Sequence, residues 1–163
     1  MSRWGEQLDL LIRSRTPILW IHQQEEERLI RLLGNACQRL GPRTLLRWDF
    51  VGGLQGLPNH QGHGARQPLM ALDSLDLLAG EQPAILLLLD FHRYVEDPAI
   101  CRRLRNLASE LRQKPHTLVI SAPDPKLPRE LESSIAVLPL PLPSESEIQE
   151  LLAGIAQAAG SPL

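Results

Sequence analysis

Residues 83–92 read P-A-I-L-L-L-L-D-F-H, an unbroken run of six apolar side chains, Ala84–Leu89, that stops at Asp90. A strand with one wet face alternates apolar and polar residues. This one does not alternate, so both of its faces must be covered. Such coverage is characteristic of a parallel sheet held between two helical layers. The run is too short to cross a bilayer, and Pro83 marks where it starts. A chain built around this segment is therefore expected to be a layered α/β protein.

The remaining segments fit that frame. Trp4, Leu8, Leu11 and Ile12 recur at helical spacing, which predicts a helix over 4–14 ended by Pro17. Ile18–Ile21 reads as a strand. Glu25–Leu40 reads as a helix with an acidic first turn and an apolar face of Leu29, Leu33, Ala36, Cys37 and Leu40, stopped by Gly41-Pro42. Thr44–Phe50 is a second strand. Residues 52–68, rich in Gly, Asn, Gln and His, predict a flexible exposed loop. Leu69–Leu78 predicts a helix that Pro68 opens and Gly80 follows. Asp97 and Pro98 supply the cap and first position of another, with Ile100, Leu104, Leu107, Ala108 and Leu111 as its buried stripe. Thr117–Ser121 and Ile135–Leu138 are the last two strands, separated by a proline-rich turn and a helical turn at 129–133. A terminal helix over 144–158 begins at Ser144, with Glu147 completing a capping box and Ile148, Leu151, Leu152 and Ile155 on its apolar face. Strands alternating with helices predict one domain over 1–163, a three-layer sandwich around a mostly parallel five-stranded sheet.

Composition narrows the function. The chain has 163 residues and a net charge of -2, which argues against a dedicated nucleic-acid binder. Its two cysteines, Cys37 and Cys101, fall on apolar helical faces and read as buried thiols of a reducing compartment. With neither a membrane span nor a signal peptide legible, the expected location is cytoplasmic or plastid-stromal.

Functional groups of such sheets collect at the carboxyl ends of the strands, here His22–Glu26, Asp49–Gly53, Asp90–Arg93 and Ser121–Asp124. Asp90 occupies the place of a Walker B aspartate, the Mg²⁺-holding residue of P-loop ATPases. The partner motif, G-x-x-x-x-G-K-[ST], is absent from the chain. The first strand instead runs into His22-Gln23-Gln24-Glu25-Glu26-Glu27-Arg28, without glycine or lysine. Glu25, Glu26 and Glu27 stand at a helix N-terminus, where a bound anion would sit. They would repel a phosphate by a few kcal/mol at modest dielectric. Phe91 follows Asp90 where a hydrolytic site carries a water-polarising glutamate. No catalytic residue and no cofactor are therefore expected, and Asp90 has a plainer role in capping nearby backbone amides. Asp90 and His92 share one side of an extended segment, but no nucleophile motif accompanies them. His60-Gln61-Gly62-His63 has metal-ligand spacing without further ligands, so no metal is expected. Arg102, Arg105 and Arg112, with Arg103 beside them, could dock an acidic partner or phosphate, or simply face water. With Glu25–Glu27 they are the candidate interaction residues.

Several longer stretches carry a family resemblance. These are L-D-L-L-I-R-S-R-T-P-I-L-W-I (Leu8–Ile21), E-E-E-R-L-I-R-L-L (Glu25–Leu33), L-L-L-L-D-F-H-R-Y-V-E-D-P (Leu86–Pro98), L-V-I-S-A-P-D-P-K-L-P-R-E-L-E (Leu118–Glu132) and I-A-V-L-P-L-P-L-P-S-E-S-E-I (Ile135–Ile148). Together they resemble the amino-terminal domain of a family of AAA+ ATPases from cyanobacteria and some algal plastids. The resemblance implies a degenerate AAA+, P-loop-NTPase-like module without its own P-loop, followed in the family by an ATPase module with intact Walker motifs. It also implies a setting in photosynthesis and inorganic-carbon use. The sequence ends at Leu163 without that second module, as either an excised domain or a natural short relative would. The expected function is protein interaction or regulation of a linked AAA+ ATPase module, with other protein partners and edge-to-edge oligomers as further expectations. Two alternatives stand beside it. One is a regulatory nucleotide binder that uses Asp90 without hydrolysis. The other is a clamp-loader-like, nucleic-acid-associated module that uses the arginines.

Overall fold

Strand β4 (Ala84–Leu89) sits inside a sheet whose other members are β1 (Ile18–His22), β2 (Thr44–Asp49), β3 (Gly53–Gln55), β5 (His116–Ala122) and β6 (Ala136–Pro139). The computed structural model describes residues 1–79 and 82–160. Its strand order is β3-β2-β4-β5-β1-β6. Every pairing is parallel except β2 with β3. Leu86 lies opposite Leu46 on one side and Leu118 on the other, so the apolar run is the spine of the sheet.

The period of two in a strand divides this spine between two cores. Ala84, Leu86 and Leu88 join Trp20, Trp48, Leu118 and Ile120 in one core, covered by α4 (Pro98–Glu110) through Ile100, Leu104, Leu107 and Ala108. Ile85, Leu87 and Leu89 join Leu19, Ile21 and Val119 in the other. That face is covered by α1 (Arg3–Arg13) through Trp4, Leu8 and Ile12, and by α2 (Glu26–Arg39) through Leu29, Leu33, Ala36 and Cys37. All six residues of β4 are buried, as a strand with helices on both sides requires. Asp97 caps α4 by accepting from the amides of Ala99 and Ile100 at 2.8 and 3.2 Å. Asp9 of α1 is clamped by both Arg39 guanidinium arms of α2, at 2.7 and 2.9 Å, which fixes the two helices to each other.

Three expectations are corrected. The sheet has six strands, not five, because the 52–68 segment holds β3. Gly53 adopts φ +68, and a side chain there would collide with the Gly62 carbonyl. Leu54 donates to the His63 carbonyl at 2.9 Å and accepts from the Gly62 amide at 2.8 Å, and its own side chain is fully buried. Trp48 donates its indole N–H to the Gly64 carbonyl at 3.0 Å. The segment is thus a folded lobe on the edge of β2, not an irregular exposed loop. The helix expected over 69–78 is split into α3 (Pro68–Ala71) and a 3₁₀ turn at Ser74–Leu77. Its buried residues Leu72, Leu75 and Leu78 recur every three positions, and a 3₁₀ turn aligns that spacing on one face. Gly80, expected past its end, lies outside the described residues. Finally, α5 (Glu145–Ala158) starts as expected, with Ser144 Oγ accepting from the Glu147 amide at 3.2 Å. Its apolar face, however, is not buried: Ile148, Leu151, Leu152 and Ile155 are 45%, 38%, 48% and 63% exposed.

The Gly53 geometry yields a test. Gly53→Ala should lower stability by about 2 kcal/mol or more, from left-handed backbone strain plus the clash with Gly62. Urea denaturation would show it, and an unchanged midpoint would mean that β3 is not built as described.

Candidate functional site

Strand β1 lies between β5 and β6, while the chain leaving it crosses to β2 on the far side of β4. The order therefore reverses at β1, and the crevice beyond its carboxyl end is where sheets of this type take ligands. Three residues, Gln23, Gln24 and Glu25, connect β1 to α2 there. A phosphate cradle needs a longer loop whose successive amides turn inward, usually with glycine at positive φ. Among the described residues, positive φ occurs at Arg15 and Gly41 on either side of this connection, not within it. The loop is also tied to the sheet. Gln23 donates its amide to the Ala122 carbonyl at 2.9 Å and its side-chain amide to Ser121 Oγ at 2.6 Å. The strand end is filled by the protein's own hydrogen bonds.

Carboxylates rim this edge. Glu25, at the N-cap of α2, and Glu26 and Glu27 on its first turn are exposed. Partial desolvation at this edge pushes the Glu26 carboxyl above its ordinary value, with the nearby charges of Asp90 and Asp49 adding to the rise and Arg47 opposing it. The ends of β2 and β4 thus place the charges of Asp49 and Asp90 within electrostatic reach of Glu26 on α2. Asp49 is engaged locally: its Oδ1 accepts from the amides of Val51 and Gly52 at 2.9 and 2.7 Å. Asp90 has φ +56 and an exposed side chain that caps no amide of the following turn, contrary to the plainer sequence reading.

Phe91 is fully buried. Its ring meets Trp48 edge-on at 5.6 Å and Tyr94 at 5.5 Å. Tyr94 in turn stacks on Phe50 at 5.8 Å, and the Arg66 guanidinium lies 5.9 Å above the Phe50 ring. The position that a hydrolytic glutamate would fill is therefore the keystone of an aromatic corner. His92 Nδ1 is buried without a hydrogen-bond partner, so Asp90 and His92 do not act as a hydrogen-bonded pair through that nitrogen.

The other sequence candidates are dispersed. Arg102, Arg105 and Arg112 are exposed and form no ion pair among the described residues, whereas Arg103 joins Asp73 and Glu110 at 3.0 and 3.1 Å. His60 and His63 share a backbone hydrogen bond of 3.1 Å. Among the described residues, no group of three or more His, Cys, Asp or Glu side chains could hold a metal ion. Cys37 is buried as expected, but Cys101 is only half-buried, and burial raises both thiols above their ordinary value.

The sequence reading missed the best-formed polar contact. Arg28, buried in the first turn of α2, holds Glu147 of α5 with both arms, at 2.8 and 2.9 Å, and donates to the Pro141 carbonyl at 2.7 Å. Arg31 adds a contact to Glu147 at 3.2 Å. Glu147 was expected to close a capping box; its carboxylate is drawn to the arginines instead. Beside this latch a groove of about 880 Å³ opens between α1, α2 and α5, lined by Trp4, Leu32, Leu151 and Ile155 among others. None of the residues His22–Glu26, Asp49–Gly53, Asp90–Arg93 or Ser121–Asp124 lines it.

Residues 4–140 match the family model described as the SpoVK-like AAA ATPase, N-terminal domain. An uncharacterized AAA domain-containing protein, ycf46, of Guillardia theta is 40% identical over 154 residues. The corresponding protein of Trieres chinensis is 37% identical over 150 residues. The alignments take in 94% and 92% of this chain but 30% of each relative, so the chain spans about a third of the relatives' length. Among solved structures, a RuvB variant of Thermotoga maritima matches with a TM-score of 0.59 at 15% identity, over 96% of this chain and 50% of that one. At that identity the match speaks for the AAA+ P-loop ATPase fold alone.

The latch predicts a response to acid. Hydrogen bonds from Arg28, with the Arg28 and Arg31 charges, hold the Glu147 carboxyl below its ordinary value of 4.5. A depressed folded value means that the stabilisation is complete above the unfolded value and is lost as pH falls through the folded one. Amides of α5 should therefore lose exchange protection below about pH 4.5, after allowance for intrinsic exchange. Glu147→Ala should cause the same loss at neutral pH, at a cost of about 2–3 kcal/mol, because it leaves Arg28 buried without its partner. Protection of α5 that is independent of both pH and this substitution would contradict the latch.

Proposed function

This chain belongs to the family of SpoVK-like AAA ATPase N-terminal domains, and we propose that within it the domain is a non-catalytic interaction module that regulates a linked AAA+ ATPase module. One observation carries the reading. The AAA+ sheet is retained with its core intact, yet the connection at its switch point is three residues long, lacks glycine and is bonded to Ser121 and Ala122. A scaffold kept without its phosphate loop is suited to presenting surface rather than to turning over nucleotide.

The charges at the strand ends support the same reading. Glu26, Asp49 and Asp90 form a negative edge that opposes polyanions, nucleotides and nucleic acid alike. Two charged surfaces are open to protein contact: this acidic edge with Glu25–Glu27, and the exposed face of Arg102, Arg105 and Arg112. The curated relatives are ycf46 proteins of algal plastid genomes. Among the described residues no helix is long and apolar enough to cross a membrane. We place the domain in the plastid stroma or cytoplasm, in the service of photosynthesis and carbon use.

Two measurements test the reading. Isothermal titration with ATP and Mg²⁺ should give no binding heat at micromolar to millimolar concentration, and micromolar binding followed by turnover would overturn it. Added to the ATPase portion of the Guillardia theta relative, the domain should change the rate of ATP hydrolysis. Arg102→Glu/Arg105→Glu or Glu25→Lys/Glu26→Lys should reduce that change severalfold if either surface makes the contact. No rate change at saturating domain would remove the regulatory role.

A further inference from the structure

The span matched by the family model ends at residue 140, and α5 begins at Glu145. No residue of α5 is buried. The helix is fastened to the body at its first turn by the Arg28–Glu147 latch, and its apolar stripe takes no part in that attachment. Ile148, Leu151, Leu152 and Ile155 lie at i, i+3, i+4 and i+7, the spacing that seats one helix against another. Leu151 and Ile155 of the stripe line one wall of the 880 Å³ groove, and Trp4 and Leu32 of α1 and α2 belong to the facing wall.

The charges on the two walls differ. α5 carries Glu145, Glu147 and Glu150 and no lysine or arginine. The facing wall holds Arg3, Arg31 and Arg39; Arg39 is clamped to Asp9 and Arg31 reaches Glu147, so Arg3 is the one of the three that forms no ion pair among the described residues. A second copy that paired its own α5 with this one would bring Glu145 and Glu150 of both helices together without a cation on either helix, Glu147 being held by Arg28 and Arg31, which disfavours self-association along the stripe. The groove-lining charges that no ion pair engages among the described residues are Glu150 on α5 and Arg3 on α1, so a helix with a basic residue toward Glu150 and an acidic residue toward Arg3 would satisfy both walls.

We propose that this groove is the docking site for an amphipathic helix of the ATPase module carried by the longer family members. The inference rests on the reading that the domain serves such a module. Two features single out that occupant. The matched span is an N-terminal domain, and about 30% of each relative aligns with this chain, so in those proteins the domain is covalently joined to a longer polypeptide. Tethering raises the effective concentration of such a helix at the groove to about the millimolar range. In addition, α5 lies beyond the matched span and packs on it through one ion-pair cluster, so its apolar face remains available to a downstream module.

The test uses this full chain, wild type and Leu151→Glu/Ile155→Glu, together with the part of the Guillardia theta relative beyond the region that aligns with it. Both substituted positions are exposed on α5, and circular dichroism would verify that the variant folds. Hydrogen exchange of the α5 amides should slow at least tenfold when the ATPase part is added, and the variant should bind at least tenfold more weakly. Binding that leaves α5 exchange unchanged would overturn the groove as the site while leaving the regulatory reading standing. Absence of both binding and any effect on ATP hydrolysis would overturn the two together. A chain that sediments alone as a dimer, and that Leu151→Glu/Ile155→Glu renders monomeric, would assign the stripe to a second copy and overturn the proposal.

Discussion

Burial of β4 on both faces is the constraint on which the rest of the molecule depends. Six consecutive apolar residues cannot tolerate water on either side, so one helical layer is insufficient. Alternate residues of the strand enter different cores, and each core recruits its own helices: α4 with the 3₁₀ segment on one side, α1 with α2 on the other. The parallel register with β2 and β5 then brings the ends of these strands to one edge. Asp90 is exposed at that edge because it is the first residue the two cores no longer cover.

The same edge shows how a fold and its chemistry come apart. Sheet order and core packing need apolar residues at alternate positions, and these are present throughout. Phosphate binding needs a particular loop of inward amides and a cation, and neither is required for the fold. Once Gln23 closes onto Ser121 and Phe91 fills the aromatic corner, the strand ends gain internal hydrogen bonds and packing instead of ligand contacts. Reversing the change would take more than restoring a glycine or a lysine. Gln23 would have to release Ser121, and a glutamate in place of Phe91 would put a carboxylate in a fully buried pocket beside Trp48. Burial of that kind costs several kcal/mol unless the group is paired or neutralised.

Much of this was legible in the sequence because periodicity and punctuation carry it. The apolar runs of β1, β4 and β5, the helical stripe of α4, the Asp97-Pro98 start and the Ser144 cap are all local signals, and each appears where expected. Strand β3 was not legible. Three residues are too few to show alternation, and their pairing depends on Gly53 at φ +68 and on backbone bonds to Gly62 and His63. In composition alone such a lobe cannot be told from a loose loop. The site was legible by what it lacks, namely the glycines and lysine, and by the glutamates that replace them. The Arg28–Glu147 contact joins residues 119 positions apart, and no pattern in one sequence announces a pairing at that distance. The stripe on α5 was visible, but its exposure was not. A helical period reports that a face is apolar without reporting what covers it.

The form of the α5 attachment has its own logic. Had Ile148, Leu151, Leu152 and Ile155 packed on the body, the helix would have been fixed by nondirectional contacts that leave nothing for a partner. The latch works differently. A two-armed guanidinium–carboxylate pair is directional, so it sets where the first turn of α5 sits and leaves the stripe free. Burial of Arg28 raises the cost of losing the contact, since an unpaired buried charge is worse than none. The first turn of α2 therefore holds two functions a few residues apart. Glu26 belongs to the acidic strand edge, and Arg28 sets the helix that walls the groove. A partner that moved this turn would move both surfaces, but only to the extent that it bound the two arrangements with different affinity.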